Sequence, residues 1–154
     1  MEMELKKILL VEDDPNDIEL TMIALEKNNL ANEVYVVRDG EEALDYLLHR
    51  RNIEPCDISN PTVILLDLKL PKINGLEVLR QIRANEQLRM IPVVVLTSSR
   101  EEPDMKEAYK LGANAYVVKP VNFNEFITAV KEIGLFWAII NEPPPGSIRK
   151  HMGI

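Results

Sequence analysis

Residues 63–79 have the sequence VILLDLKLPKINGLEVL, and this stretch indicates how the chain folds. It begins with four consecutive apolar residues, and an acid, Asp67, follows them directly. A continuous apolar run of this length is typical of a strand covered on both faces in a parallel sheet. Asn74 and Gly75 then give a turn or helix-start signal. The stretch therefore predicts a buried strand, a loop and the beginning of a helix.

Four similar runs lie elsewhere in the chain, at residues 8–11, 34–37, 93–96 and 115–118. The segments between them carry apolar residues at helical spacing, so strand and helix alternate five times. Right-handed crossovers place the helices on both faces of such a sheet. We predict an α/β, doubly wound (βα)5 flavodoxin-like fold with a parallel sheet in strand order 2-1-3-4-5, because the chain is too short for six strands and lacks a GxGxxG loop after the first strand.

Composition restricts the class of protein. The chain has 154 residues, which suits one domain with a single core. The formal net charge of -7 argues against direct nucleic-acid binding, and Cys56 as the sole cysteine excludes an intrachain disulfide. The sequence has no apolar run long enough to span a bilayer and no signal-peptide core at its start. A cytoplasmic location is the expectation.

The proline-rich segments mark the boundaries of the predicted domain. We place the domain at residues 5–140 and a proline-containing C-terminal tail at 141–154, which we expect to be extended or disordered. Residues 50–61 form a polar insertion, predicted to be a surface loop. The tail is too short for a DNA-binding or catalytic domain, so we expect the output to come from a partner.

Acidic residues follow two of the predicted strands. Glu12, Asp13 and Asp14 end the first, and Asp67 ends the third. The carboxyl ends of parallel strands meet at one edge of the sheet, where ligands of doubly wound folds bind. Clustered carboxylates repel one another unless some are protonated or a cation lies among them. Oxygen ligands favour a hard ion, so we predict a Mg²⁺ site, with Mn²⁺ as the alternative.

The same edge receives a hydroxyl and an ammonium group. Thr97 and Ser98 end the fourth strand, and Lys119 and Pro120 follow the fifth. A carboxylate nucleophile, a divalent cation, a hydroxyl donor and a lysine are the groups that phosphoryl transfer to an aspartate requires. Any one of these residues alone would be an ordinary surface or core residue, but the set indicates a site.

The motifs ILLVEDD, VILLDLKLPKINGLEVL, VVVLTSS and AYVVKP occur in this order at residues 8–14, 63–79, 93–99 and 115–120. In sequence and spacing they resemble the receiver domain of two-component response regulators over about residues 5–135. The resemblance implies a signalling module, not an enzyme beyond its own phosphorylation and dephosphorylation. The Phe136-Trp137 pair and the proline-containing tail look like the stand-alone regulators paired with phytochrome-type histidine kinases.

The resemblance also implies a role for each matching residue. Asp67 would accept a phosphoryl group from a histidine kinase. Asp13 would bind the metal directly, and Glu12 through water. The backbone carbonyl of Lys69 would complete the metal site. Thr97 would turn toward the phosphoryl group, and Tyr116 would be the aromatic switch residue. Lys119 would be the ion-pair partner of the site. The Lys119-Pro120 bond would be a candidate cis peptide.

An apolar segment near the end of the last helix points to a protein partner. Residues 135–140, LFWAII, cannot all face their own domain, so we predict a partner surface at Phe136, Trp137, Ile139 and Ile140. A homodimer through helix 4, strand 5 and helix 5 is the leading hypothesis. Two alternatives stay open: a phosphorylation-independent interaction module with the same fold, and a phosphatase of the haloacid-dehalogenase type, which would need an acid where Lys69 stands.

Overall fold

The computed structural model describes residues 2–5, 7–27, 33–48, 60–145 and 149–152. The strands of the described chain are β1 (Glu2–Leu5), β2 (Lys7–Val11), β3 (Glu33–Val37), β4 (Val63–Leu66), β5 (Val93–Thr97), β6 (Ala115–Val118) and β7 (Arg149–Met152). The helices are α1 (Pro15–Glu26), α2 (Gly40–Leu48), α3 (Gly75–Ala84), α4 (Glu102–Lys110) and α5 (Phe123–Gly134). A π-helical segment, Leu135–Ile140, continues α5.

Five parallel strands form the central sheet in the order β3-β2-β4-β5-β6. Counted within that sheet, this is the predicted order 2-1-3-4-5, so the predicted fold is confirmed. The register aligns Val11 of β2 with Leu66 of β4, which brings the residues that follow both strands side by side.

The sheet has apolar side chains on both faces because consecutive residues of a strand point in opposite directions. Leu9 and Val11 belong to a core cluster that includes residues of α2 and α3. Ile8 and Leu10 belong to a second cluster that includes residues of α1 and α5. The continuous apolar runs in the sequence follow from this burial on two sides.

Two helices begin at residue pairs that carry turn or helix-start signals, Asp14-Pro15 and Asn74-Gly75. Asp14 is the N-cap of α1, with Pro15 in the first turn, and the Asp14 side chain accepts hydrogen bonds from Asn16 N and Asp17 N. Asn74 caps α3, and its side chain accepts a hydrogen bond from Glu77 N. Both caps satisfy helix N–H groups that lack an intrahelical partner, and they fix where each helix starts after the sheet edge.

The ends of the chain differ in detail from the sequence analysis. Within the tail, β7 pairs antiparallel with β1, a pairing that the sequence did not predict. Extended backbone leaves N–H and C=O groups that need partners, and a second extended segment supplies them. The predicted insertion lies outside the described residues except for residues 60 and 61. No helix in the described ranges is long and apolar enough to cross a membrane.

Candidate functional site

Four of the predicted site residues lie where strands of the central sheet end. Glu12, Asp67 and Lys119 directly follow β2, β4 and β6, and Thr97 is the last residue of β5. Each of the first three is tied to a neighbouring strand through its backbone N–H: Glu12 N donates to Val37 O at 3.0 Å, Asp67 N to Val11 O at 3.0 Å and Lys119 N to Thr97 O at 2.7 Å. The sheet therefore fixes the backbone from which these side chains extend.

An acidic cluster occupies this edge. Glu12, Asp13 and Asp67 each offer a carboxylate oxygen, and these atoms all lie within 4.8 Å of one another. Glu12 and Asp67 are buried, whereas Asp13 is exposed to solvent. Two buried acids and one accessible acid suit a hard cation that keeps part of its water shell. The donor set therefore fits the predicted Mg²⁺ or Mn²⁺.

Lys119 supplies the positive charge of the site. Its Nζ donates to Glu12 Oε1 at 2.5 Å, to Asp17 Oδ2 at 2.8 Å and to Asp67 Oδ2 at 3.1 Å. Asp17 was not among the predicted site residues, since its only sequence signal is an acid in the first turn of the helix that begins at Pro15. Three carboxylates around one ammonium leave the site negative, which favours an added cation.

Burial and charge alter the proton affinities of this group. Burial is the largest cause that raises the pKa of Glu12, to about 7; the hydrogen bond from Lys119 opposes the rise and the charge of Asp67 adds to it. Burial by itself would lower the pKa of Lys119, but its bonds to Asp17 and Glu12 and the charge of Asp67 outweigh burial and raise it. Lys119 is therefore charged at neutral pH. A cation beside Glu12 would favour the ionised carboxylate.

The hydroxyl at the end of β5 is held by the loop that follows. Thr97 is fully buried, and its Oγ1 accepts a hydrogen bond from Ser99 N at 3.4 Å. The Ser99 hydroxyl, also buried, donates to Asp104 Oδ2 of α4 at 2.5 Å. Ser98, in contrast, is exposed. Sequence reasoning did not single out Ser99 or Asp104, and a lone serine and acid five residues apart give little signal.

Tyr116 joins the same loop from β6. Its hydroxyl donates to Ser99 O at 3.1 Å, and its ring centroid lies 6.4 Å from that of Tyr109 on α4. Burial raises the pKa of Tyr116, and the hydrogen bond to Ser99 partly opposes this rise. The loop after β5 is therefore bonded both to Thr97 and to the predicted switch residue.

Two predictions concern the backbone near the site: a cis Lys119-Pro120 peptide bond and a metal contact from the Lys69 carbonyl. No cis peptide bond occurs in the described part of the chain, so the prediction of a cis Lys119-Pro120 bond is wrong. The trans form of such a bond is favoured by about 0.5–1 kcal/mol unless tertiary structure demands otherwise. Lys69 N donates to Asp67 Oδ1 at 3.3 Å, while the part of its carbonyl in metal binding stays a prediction.

The predicted partner surface lies apart from the acids, at the end of α5. Phe136, Ile139 and Ile140 are exposed by 47%, 44% and 58%. Trp137 is half-buried and packs against the core cluster on the α1 and α5 face. Leu135, which was not among the predicted surface residues, is also exposed. We call Leu135, Phe136, Ile139 and Ile140 the apolar end surface.

Comparison with known proteins agrees with this arrangement. Residues 8–131 match the family model of the response regulator receiver domain. The response regulator Rcp1 of Synechocystis is 40% identical over 132 residues, which cover 86% of this chain and 88% of Rcp1. Its Mn²⁺-bound structure aligns over 90% of this chain and 99% of the other, with 39% identity and a TM-score of 0.82.

Two further structures are similar. The phosphorylated cyanobacterial phytochrome response regulator RcpA has 44% identity and a TM-score of 0.83, and the alignment covers 91% of this chain and 99% of RcpA. The bacteriophytochrome response regulator RtBRR has 62% identity and a TM-score of 0.69, and the alignment covers 93% of this chain and 86% of RtBRR. Both alignments cover more than nine tenths of this chain.

Proposed function

Since the chain belongs to the response regulator receiver domain family, we propose that it is a single-domain response regulator that accepts a phosphoryl group on Asp67 from a histidine kinase. The observation that carries the proposal is that Asp67 belongs both to the acidic cluster and to the set of carboxylates bound by Lys119. The acceptor thus lies between the groups that would hold a cation and the group that would neutralise phosphoryl oxygens.

The residues of the site have separate parts in the transfer. A carboxylate oxygen of Asp67 attacks phosphorus, the bond from phosphorus to the donor nitrogen breaks, and the kinase histidine keeps that electron pair. Lys119 offsets negative charge on the transferred group, and Thr97 donates a hydrogen bond to one of its oxygens. Glu12, Asp13 and Asp67 would hold Mg²⁺, with Lys69 supplying its carbonyl oxygen. A bound divalent ion contributes charge neutralisation at the phosphoryl oxygens.

Metal dependence has independent support. The relative Rcp1 has a Mn²⁺-bound structure, and the acidic cluster of this chain offers oxygen ligands only. Mg²⁺ prefers such ligands and binds with one or two carboxylates plus water. We propose Mg²⁺ as the ion that works with this chain, and Mn²⁺ as a substitute.

The result of phosphorylation would be a changed protein surface. Thr97 would leave Ser99 N and turn toward the phosphoryl group. The loop at Ser99 would then no longer be held by Thr97, and the hydrogen bond from the Tyr116 hydroxyl to Ser99 O would be free to break. The input partner would be a phytochrome-like sensor kinase, because RcpA and RtBRR are phytochrome response regulators. The output would be a protein contact in the cytoplasm, without direct nucleic-acid binding or catalysis of another reaction.

A homodimer is part of this proposal. Four apolar side chains at the apolar end surface are exposed next to α5, and burying them against the same surface of a second copy would remove them from water. The contact would extend over α4, β6 and α5. This same surface favours the second candidate function, an interaction module that works without phosphorylation.

Phosphorylation of the purified chain tests the proposal. The wild type with Mg²⁺ and acetyl phosphate, or with a cognate kinase, should gain the mass of one phosphoryl group through an acid-stable, alkali-labile bond. Asp67→Asn should gain none. Asp14→Asn is a matched control, because Asn caps a helix as well as Asp does. Labelling of Asp67→Asn equal to that of the wild type would refute Asp67 as the acceptor.

Beryllofluoride, which mimics a phosphoryl group, separates the two candidate functions. A regulator should change its dimer dissociation constant or its partner affinity when Mg²⁺ and beryllofluoride are added. An interaction module should dimerise or bind equally with and without them. Analytical ultracentrifugation of the wild type measures the first quantity directly.

A further inference from the structure

Asp17 is the one carboxylate around Lys119 that comes from a helix. The other two, Glu12 and Asp67, follow strands of the sheet, whereas Asp17 lies in the first turn of α1. Its Oδ2 lies 2.8 Å from Lys119 Nζ. The position of Asp17 is fixed independently, because its backbone N–H donates to the cap residue Asp14 at 3.3 Å. The ion pair therefore ties Lys119 to the start of α1.

All the donors of Lys119 are in use. An ammonium group has three N–H protons, and Nζ has three carboxylate partners in this structure. A phosphoryl group on Asp67 would add oxygens close to this ammonium, so at least one present bond must be given up for a new one. The residue whose bond to Lys119 is lost is the residue that disfavours phosphorylation of Asp67.

Asp67 itself becomes the phosphorylated residue, and of the two carboxylates that stay free, Glu12 and Asp17, exposure indicates Asp17 as the one that is released. The Asp17 side chain is 24% exposed, against 3% for Glu12 and 8% for Asp67. A released carboxylate that reaches water regains its hydration, whereas one left buried without its partner incurs a desolvation cost. Glu12 also belongs to the acidic cluster, and Asp17 does not.

We propose that Asp17 is a positioning residue that holds Lys119 toward α1 in the unphosphorylated protein and releases it when Asp67 carries a phosphoryl group. The inference rests on the proposed function, since it assigns a residue to the same site. A bond present in one form alone shifts the balance toward that form. Asp17 therefore disfavours the phosphorylated form, and its removal should favour it.

The test is the affinity for beryllofluoride at saturating Mg²⁺, measured by isothermal titration calorimetry on the full chain. Asp17→Ala should bind beryllofluoride about fivefold more tightly than the wild type, the factor that a partly exposed ion pair supplies. Asp17→Glu keeps the carboxylate and should restore binding close to that of the wild type. The affinity for Mg²⁺ alone is measured first for every variant, so that an effect on the metal is separated from one on Lys119.

Glu19→Ala is the matched control. It removes one carboxylate from the same helix, and Glu19 is exposed with no ion pair to Lys119 among the described residues. A general effect of net charge would act in both alanine variants, whereas loss of the bond to Lys119 acts in Asp17→Ala alone. Asp17→Asn is measured beside them, because its weaker acceptor should give a smaller gain and because it serves if Asp17→Ala does not fold.

Each outcome decides the matter. Tighter binding in Asp17→Ala, with Asp17→Glu and Glu19→Ala near the wild type, supports the inference. Unchanged or weaker binding in Asp17→Ala overturns it, as does an equal gain in both alanine variants. If the wild type itself binds no beryllofluoride with Mg²⁺, the proposed function fails and the inference fails with it; if the wild type binds, only the inference is at stake.

Discussion

Replacing Gly75 by alanine should disturb the acceptor without touching any charged group of the site. Gly75 begins α3, and its N–H donates to Leu68 O at 2.8 Å. A Cβ at this position would lie 2.3 Å from Asp67 O and 2.6 Å from Leu68 Cα. Ordinary contacts of a Cβ are 3.4–4 Å, so the backbone of Asp67 or the start of α3 must move.

The size of the effect follows from these contacts. Forcing a methyl group against backbone costs about 3 kcal/mol, the upper end of the range for overpacking. Alanine recovers about 1 kcal/mol through the less flexible unfolded chain and better helix propensity. The net loss of about 2 kcal/mol in the free energy of unfolding should lower the Tm by roughly 4–8 °C in a chain of this length. A displacement of Asp67 by about 1 Å should slow phosphorylation by roughly tenfold to a hundredfold.

Gly112→Ala is the control for this prediction. Gly112 has a φ of +100°, and a Cβ there would meet the Arg83 side chain at 2.9 Å, so this variant also loses stability but lies away from Asp67. Calorimetry and the rate of phosphorylation by acetyl phosphate are measured for both variants. We expect Gly112→Ala to keep its rate. A Gly75→Ala protein with the Tm and rate of the wild type would show that the reasoning about close approach is wrong.

Three further predictions concern stability and assembly. Arg83→Met removes four hydrogen bonds from a guanidinium to neighbouring turns, so the free energy of unfolding measured in urea should fall by about 2–3 kcal/mol. Arg83→Lys should lose less. Equal stability of both variants with the wild type would contradict this prediction. Ser99→Ala should cost about 1–2 kcal/mol by thermal unfolding because its buried hydroxyl is bonded to a carboxylate, while exposed Ser98→Ala should change little. Ile140→Asp should weaken the proposed homodimer, as measured by sedimentation velocity. Val121→Asp, at a residue that is 97% exposed, should leave the dimer intact. An unchanged dimer in both variants would show that the apolar end surface is not part of the interface.

The central sheet and the starts of its helices were predictable because their signals are local. Each inner strand is apolar on both faces, and the sequence reflects this as an unbroken run. Asp14 and Asn74 cap helices through their own neighbours, so the sequence places them without knowledge of the fold. Once the sheet order is known, Glu12 and Asp67 must lie side by side after β2 and β4, whereas Lys119 follows the edge strand β6 and reaches them through its long side chain.

The features that sequence reasoning missed depend on contacts between distant residues or on competing demands. Asp17 meets Lys119 across 102 residues, and nothing near either one marks the pair. Trp137, predicted on the partner surface, is half-buried and packs against the core cluster of α1 and α5, and its part in a partner contact stays a prediction. The pairing of β1 with β7 joins the two ends of the described chain and has no local signal.

The backbone hydrogen bonds that tie Glu12, Asp67 and Lys119 to neighbouring strands have a consequence for exchange with deuterated solvent. These three amides belong to the sheet ladder and open only when the sheet itself opens, so they should exchange slowly. The amide of Ser99, bonded to a hydroxyl that is proposed to move, should exchange faster and should respond to a phosphoryl mimic. Thr97 would then be monitored by two amides that behave differently: that of Lys119, bonded to its backbone carbonyl, should exchange slowly, and that of Ser99, bonded to its hydroxyl, should respond to the mimic.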